Sequence, residues 1–186
     1  MTLKIQQAIV LIAIVLGGCI PQTGEERINV ANVTEYRLGA GDQVRVLVFE
    51  QPTLSNSYTV DASGKISIPL VGAIKAGNRT TRQIEAEITG QLKERDLVTD
   101  PKVAVEVVLY RPFSIIGEVK NPGRIPYAPG MTIEAAVAAA GGYTIHADKD
   151  VMRVTRRAGN EAVTENVPST SMIAPGDMVV VRERWY

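Results

Sequence analysis

The chain is short of what catalysis and metal chemistry usually need. Of its 186 residues, one is a cysteine and one a histidine. A single thiol, Cys19, cannot close a disulfide within the chain. Stability must then come from packed cores rather than covalent staples. With His146 alone, no histidine-based metal cluster can be assembled from one chain. No serine stands in a G-x-S-x-G elbow, and Gly41-Asp42 and Gly141-Gly142 match neither nucleotide-binding fingerprint. Asp148 and Asp150 fall with His146 in one segment that reads as a solvated loop, and alternate spacing in a loop carries no acid–base inference. Charge of one sign is also missing: 20 Lys and Arg stand against 20 Asp and Glu. A neutral chain gives no electrostatic case for binding nucleic acid. These shortages argue against an enzyme, and no cofactor or metal is expected.

A long hydrophobic run is lacking as well. Residues 8–16 are nine apolar residues behind Lys4. As a helix they would rise roughly 14 Å, about half of a bilayer's hydrocarbon core. A positive start and a short apolar core describe a secretory signal, yet the core has no A-x-A-like end. The run closes instead on Leu16-Gly17-Gly18-Cys19, which resembles the bacterial lipobox. The resemblance implies that Cys19 is lipidated on sulfur and becomes the new N-terminus, with residues 1–18 removed as a signal peptide. Ile20, where an Asp would favour retention at the inner membrane, points to the outer membrane. Residues 20–35 are polar and aperiodic, a tether that reaches at most about 50 Å when extended.

From Tyr36 the pattern becomes structured. Val44, Val46 and Val48 alternate as in a strand. Val60 and Ile66 flank Asp61-Ala62-Ser63-Gly64, a hairpin turn by composition. Thr80 reads as a helix N-cap with Gln83 closing a capping box, and Ile84, Ile88 and Leu92 form one helical stripe. Asp100-Pro101 breaks the chain, and Val103, Val105 and Val107 return to strand alternation. Tyr110-Arg111-Pro112 reads as a domain boundary. Residues 113–119 then read as a strand. In Asn121-Pro122-Gly123-Arg124, Pro122 and Gly123 suit a type II turn with Gly123 at positive φ, and residues 125–127 read as the return strand. Thr132 is the expected N-cap of a helix that Gly141-Gly142 ends. Further strands are expected near 151–156, 162–167 and 178–182. The fold class is therefore α+β: two small β-rich domains, each a sheet with one packed helix, spanning 36–110 and 111–186 behind a lipidated N-terminus and tether at 19–35.

Two stretches stand out. Leu38-Gly39-Ala40-Gly41-Asp42 is echoed by Ile173-Ala174-Pro175-Gly176-Asp177, each just before an alternating valine strand. The physical reading is a tight turn feeding a strand, with Asp bonding local amides; a metal-binding aspartate is the sharper alternative, but no ligand cluster accompanies either copy. Arg153-Val154-Thr155-Arg156-Arg157 is a basic run, either a solvated strand end or a contact for an anionic polymer or acidic partner.

The positions Tyr36, Leu38, Gly39, Gly41, Asp42, then Val60, Asp61, Gly64, Ile66, Pro69 and Gly72, resemble the N-terminal domain of the outer-membrane polysaccharide export family. Gly117, Val119, Pro122 and Gly123, with Ala140, Gly141 and Gly142 further on, resemble the SLBB module, a β-grasp domain. Together the matches cover residues 36–186; one small departure is Gly77-Asn78-Arg79-Thr80, where the family often has Gly-Leu-Thr. The resemblance implies a non-enzymatic lipoprotein on the periplasmic face of the outer membrane of a Gram-negative bacterium. It implies homo-oligomeric rings that pass capsular or exopolysaccharide outward and meet an inner-membrane polysaccharide co-polymerase. Larger members add SLBB repeats and a membrane-crossing C-terminal helix. Residues 182–186 come directly after a strand, so a separate outer-membrane pore protein is expected as a partner. The alternative is a periplasmic glycan-binding or scaffold lipoprotein that forms no conduit. The motif residues read as turn and packing positions, so ligand-binding residues stay unassigned; Cys19 is the one assigned site, for lipid attachment.

Overall fold

In β1 (Gln43–Val48) the three valines 44, 46 and 48 are buried while Arg45 and Leu47 face outward. The period-two alternation of a strand with one covered face produces this. The structure is a computed structural model that describes residues 35–158 and 161–184. The expected signal peptide, Cys19 and the tether up to residue 34 lie outside the described residues.

Strand β1 is the centre of a three-stranded antiparallel sheet, between β2 (Asn56–Thr59) and β5 (Val103–Leu109). A helix, α1 (Thr81–Glu94), packs on β5 and on β4 (Gly72–Lys75), which pairs with β3 (Lys65–Ile68) as a second, two-stranded ladder. The capping box is formed: Gln83 N donates to Thr80 Oγ1 at 3.4 Å and Thr80 N to Gln83 Oε1 at 3.1 Å. Ile84, Ile88 and Leu92 are all fully buried. Burying each such side chain is worth about 1.5–3 kcal/mol, which is what holds a 14-residue helix in place.

The second half is a five-stranded sheet in the order β7-β6-β10-β8-β9. Its strands are β6 (Phe113–Gly117), β7 (Gly123–Ile125), β8 (Val151–Ala158), β9 (Glu161–Pro168) and β10 (Met178–Val181), with α2 (Ile133–Ala139) between β7 and β8. Strands β10 and β6 are parallel and every other pair in this sheet is antiparallel. Thr132 caps α2, accepting from Ala135 N. Its end is a Schellman motif: Gly142 N donates to Val137 O and Gly141 N to Ala138 O, with both glycines at positive φ.

Among the described residues the buried hydrophobic side chains form two clusters. One runs from Leu38 to Val105 around α1, the other from Phe113 to Val181 around α2. The fold is α+β, as expected, though the first half holds two sheets rather than one.

Two local expectations change. The 61–64 turn exists, with Gly64 N donating to Asp61 O, and Asp61 Oδ1 accepting from Ser63 and Lys65 amides. The strands it joins, however, belong to different sheets, so it is a corner and not a hairpin. At 121–124, Gly123 has no positive φ and already lies on β7, opposite Ile115. The chain reverses earlier, where Gly117 takes φ +90 and its carbonyl accepts from Val119 N at 2.8 Å. Strand β6 ends there, and the return strand is 123–125 rather than 125–127.

Candidate functional site

The two Gly-Asp turns fold alike. Asp42 Oδ2 accepts from Gly39 N at 2.7 Å, and Asp177 Oδ2 accepts from Ala174 N at 2.7 Å. In each copy the Asp amide donates back, to Gly39 O and to Ala174 O, both at 3.1 Å. Gly41 and Gly176 stand at φ +94 and +83, where a side chain is strained. The echo is thus one local device used twice to launch a strand, with a buried carboxylate holding the loop.

A buried carboxylate needs partners, and each copy has an arginine. Arg156 grips Asp177 with two prongs, Nε to Oδ1 at 2.9 Å and Nη2 to Oδ2 at 2.7 Å. Such a fork is a strong, orienting contact. Asp42 accepts from Arg111 N at 2.7 Å and Arg111 Nη1 at 3.0 Å, and from the Tyr36 hydroxyl at 2.6 Å. Burial, then the bond to Asp42, push the Tyr36 phenol well above its ordinary pKa, so it stays protonated and donates.

Arg111 also donates from Nε to Pro175 O at 3.0 Å, in the second turn. Its guanidinium lies between the two turns. A Cβ at Gly39 would come within 2.0 Å of Arg111 Nη1, and one at Gly176 within 2.6 Å of Nε. One side chain therefore ties the two echoes, and with them the two halves. Tyr36, Tyr110 and Tyr127 reinforce the joint in an edge-to-face series with centroids 5.0 and 5.6 Å apart.

Beside the joint opens a cleft of about 950 Å³, lined by Gly39–Gly41, Ala174–Asp177, Ser114 and, among the described residues, five arginines: 37, 111, 124, 156 and 157. Strand alternation splits the basic run. Arg156 turns to Asp177, while Arg157 and Arg153 lie on the opposite face of β8, and of these only Arg157 reaches the cleft. His146 is exposed, and Asp148 pairs with Arg182 at 3.4 Å. Among the described residues no group of three or more His, Cys, Asp or Glu side chains could hold a metal, and no helix is long and apolar enough to cross a membrane. The role of Arg111 is not visible in the sequence, because its partners lie 69 and 64 residues away. The echo itself was the signal that could have pointed to it: two buried acids call for two cations.

The described residues are β-rich, with twin Gly-Asp turns and a five-stranded mixed sheet in the second half. Residues 30–108 match the family described as polysaccharide biosynthesis/export protein, and residues 112–165 match the SLBB domain. The chain thus carries a polysaccharide export domain followed by an SLBB domain. It is 38% identical over 125 residues to the exopolysaccharide production protein ExoF of Rhizobium meliloti, covering 61% of this chain and 30% of that protein. It is 31% identical over 189 aligned positions to the EPS I polysaccharide export outer membrane protein EpsA of Ralstonia solanacearum, covering 83% and 49%. To the polysialic acid transport protein KpsD of Escherichia coli it is 24% identical over 160 residues, covering 81% and 28%. The chain thus spans 28–49% of the length of these curated relatives.

Proposed function

We propose that the chain is a lipid-anchored, ring-forming subunit of a conduit that exports exopolysaccharide or capsular polysaccharide at the periplasmic face of the outer membrane. The observation that carries this reading is the tandem of an export module and an SLBB module in family order. We place the modules at 36–110 and 111–186, a division supported by the two separate cores. The relatives' names as exopolysaccharide production or polysaccharide export outer membrane proteins support the cargo and the compartment. Leu16-Gly17-Gly18-Cys19 supports the anchor.

Ring assembly needs a surface that one copy offers to the next. Strand β9 is such a surface: it is an open sheet edge, exposed along nearly its whole length, with Val163 at 45% exposure. Open edges of this kind are pairing templates unless covered. The conduit works passively. It offers a hydrated polar path, and synthesis at an inner-membrane polysaccharide co-polymerase drives the polymer forward.

Electron microscopy of the full chain extracted in detergent tests this. Closed rings are expected. Monomers only would overturn the conduit and leave a glycan-binding scaffold lipoprotein.

A further inference from the structure

The arginine-lined cleft at the joint is more than a seam. Of its five arginines, three are occupied: Arg37 donates to Asn78 O at 2.9 Å, Arg111 holds Asp42 and Pro175, and Arg156 holds Asp177. The side chains of Arg124 and Arg157 have no hydrogen-bond or ion-pair partner among the described residues. Both are exposed, and both stand on the outward face of the second sheet. Arg124 on β7 pairs with Ser114 on β6, Ser114 with Met178 on β10, and Met178 with Thr155 on β8. Arg157 is two residues beyond Thr155 and so shares its face.

The charge here is concentrated, not incidental. Five arginines against the two carboxylates they hold leave 5 − 2 = +3 in a chain of formal net charge zero. Asp42 and Asp177 are 0% and 1% exposed, so neither presents a carboxylate to a ligand. A cleft with walls of one sign focuses its field on an incoming anion. Guanidinium forks match the planar geometry of a carboxylate.

Size and lining narrow the ligand. About 950 Å³ lies at the upper end of the roughly 300–1,000 Å³ of small-molecule sites, so the cleft suits a short oligomer rather than a lone inorganic ion. None of the described lining residues is aromatic, so recognition by these residues does not rest on ring stacking and falls to charge. We propose that the cleft between the two modules binds carboxylate-bearing saccharide units, with Arg124 and Arg157 as the contacting forks and Ser114 between them. This rests on the export reading and adds the chemical class of the cargo: an acidic polysaccharide.

The test is isothermal titration calorimetry on the purified full chain, with hexagalacturonate, neutral maltohexaose and inorganic phosphate as probes. Hexagalacturonate should bind and maltohexaose should not. The double variant Arg124→Gln, Arg157→Gln should weaken hexagalacturonate about tenfold or more, since charge-assisted hydrogen bonds worth about 1.4 kcal/mol and above are lost. Neither arginine holds another described residue, so the variant's melting temperature should match the parent's. If it does not, Arg124→Lys with Arg157→Lys keeps the charge and loses the fork, and a several-fold weakening is then expected. No binding of hexagalacturonate, equal binding of maltohexaose, phosphate binding alone, or full binding by the variants would each overturn the proposal. None of these results touches the export reading, which is measured separately in cells.

Discussion

Gly117→Ala is expected to destabilise the chain by about 4 kcal/mol, the sum of left-handed strain and a forced contact. Gly117 stands at φ +90, and a Cβ there would lie 2.0 Å from Val181 O. That oxygen belongs to the backbone of β10, the central strand of the sheet, and accepts from Glu118 N at 3.0 Å. It cannot rotate away as a side-chain tip would. To admit the methyl, β10 must part from β6 where the two run parallel. Thermal unfolding of the purified chain should show a fall of roughly 8–16 °C. Gly123→Ala is the matched control. Gly123 is in β7 with open space around the Cβ position and no positive φ, so that change should be neutral. Equal melting temperatures for both variants would contradict the structural account of the reversal.

Arg111→Ala is expected to cost about 3 kcal/mol, because it leaves the fully buried Asp42 carboxylate without its cation. The backbone amide of residue 111, Gly39 N and the Tyr36 hydroxyl still reach Asp42, which keeps the loss at the lower end of the range. The bond to Pro175 O goes as well, and with it a tie between the two halves. Calorimetry should show a melting temperature lower by roughly 6–12 °C and a broader transition, as the two cores begin to unfold separately. Arg156→Ala should cost less. Arg156 is half exposed, with a side-chain exposure of 52% against 26% for Arg111, so water already shares its work. A larger loss at Arg156 than at Arg111 would refute the assignment of the joint to Arg111.

These two positions also show where sequence reasoning stops. The alternating valines of β1, the Thr80–Gln83 box and the glycine end of α2 are local patterns, and all stand as read. The Asp42–Asp177 echo was legible for the same reason, since the carboxylate meets an amide three residues away. Arg111 reads as a boundary in the sequence because its meaning lies in partners more than sixty residues distant. Pro122-Gly123 suggested the wrong turn, since proline's fixed φ suits entry into a strand as well as a turn corner. The run 153–157 looks like one basic patch on paper. Period-two alternation sends Arg156 to a buried acid and leaves Arg157 free for the cleft. Cys19 is read from a motif at the head of the chain, and its role rests on that motif alone.

The export claim is tested most directly by polysaccharide measured outside the cell and retained inside it, in a strain that lacks this chain but keeps its synthesis machinery. External polymer should disappear, return with the intact chain, and return only in part with Cys19→Ser, whose product should leave the membrane fraction. External polymer unchanged by loss of the chain would contradict the account.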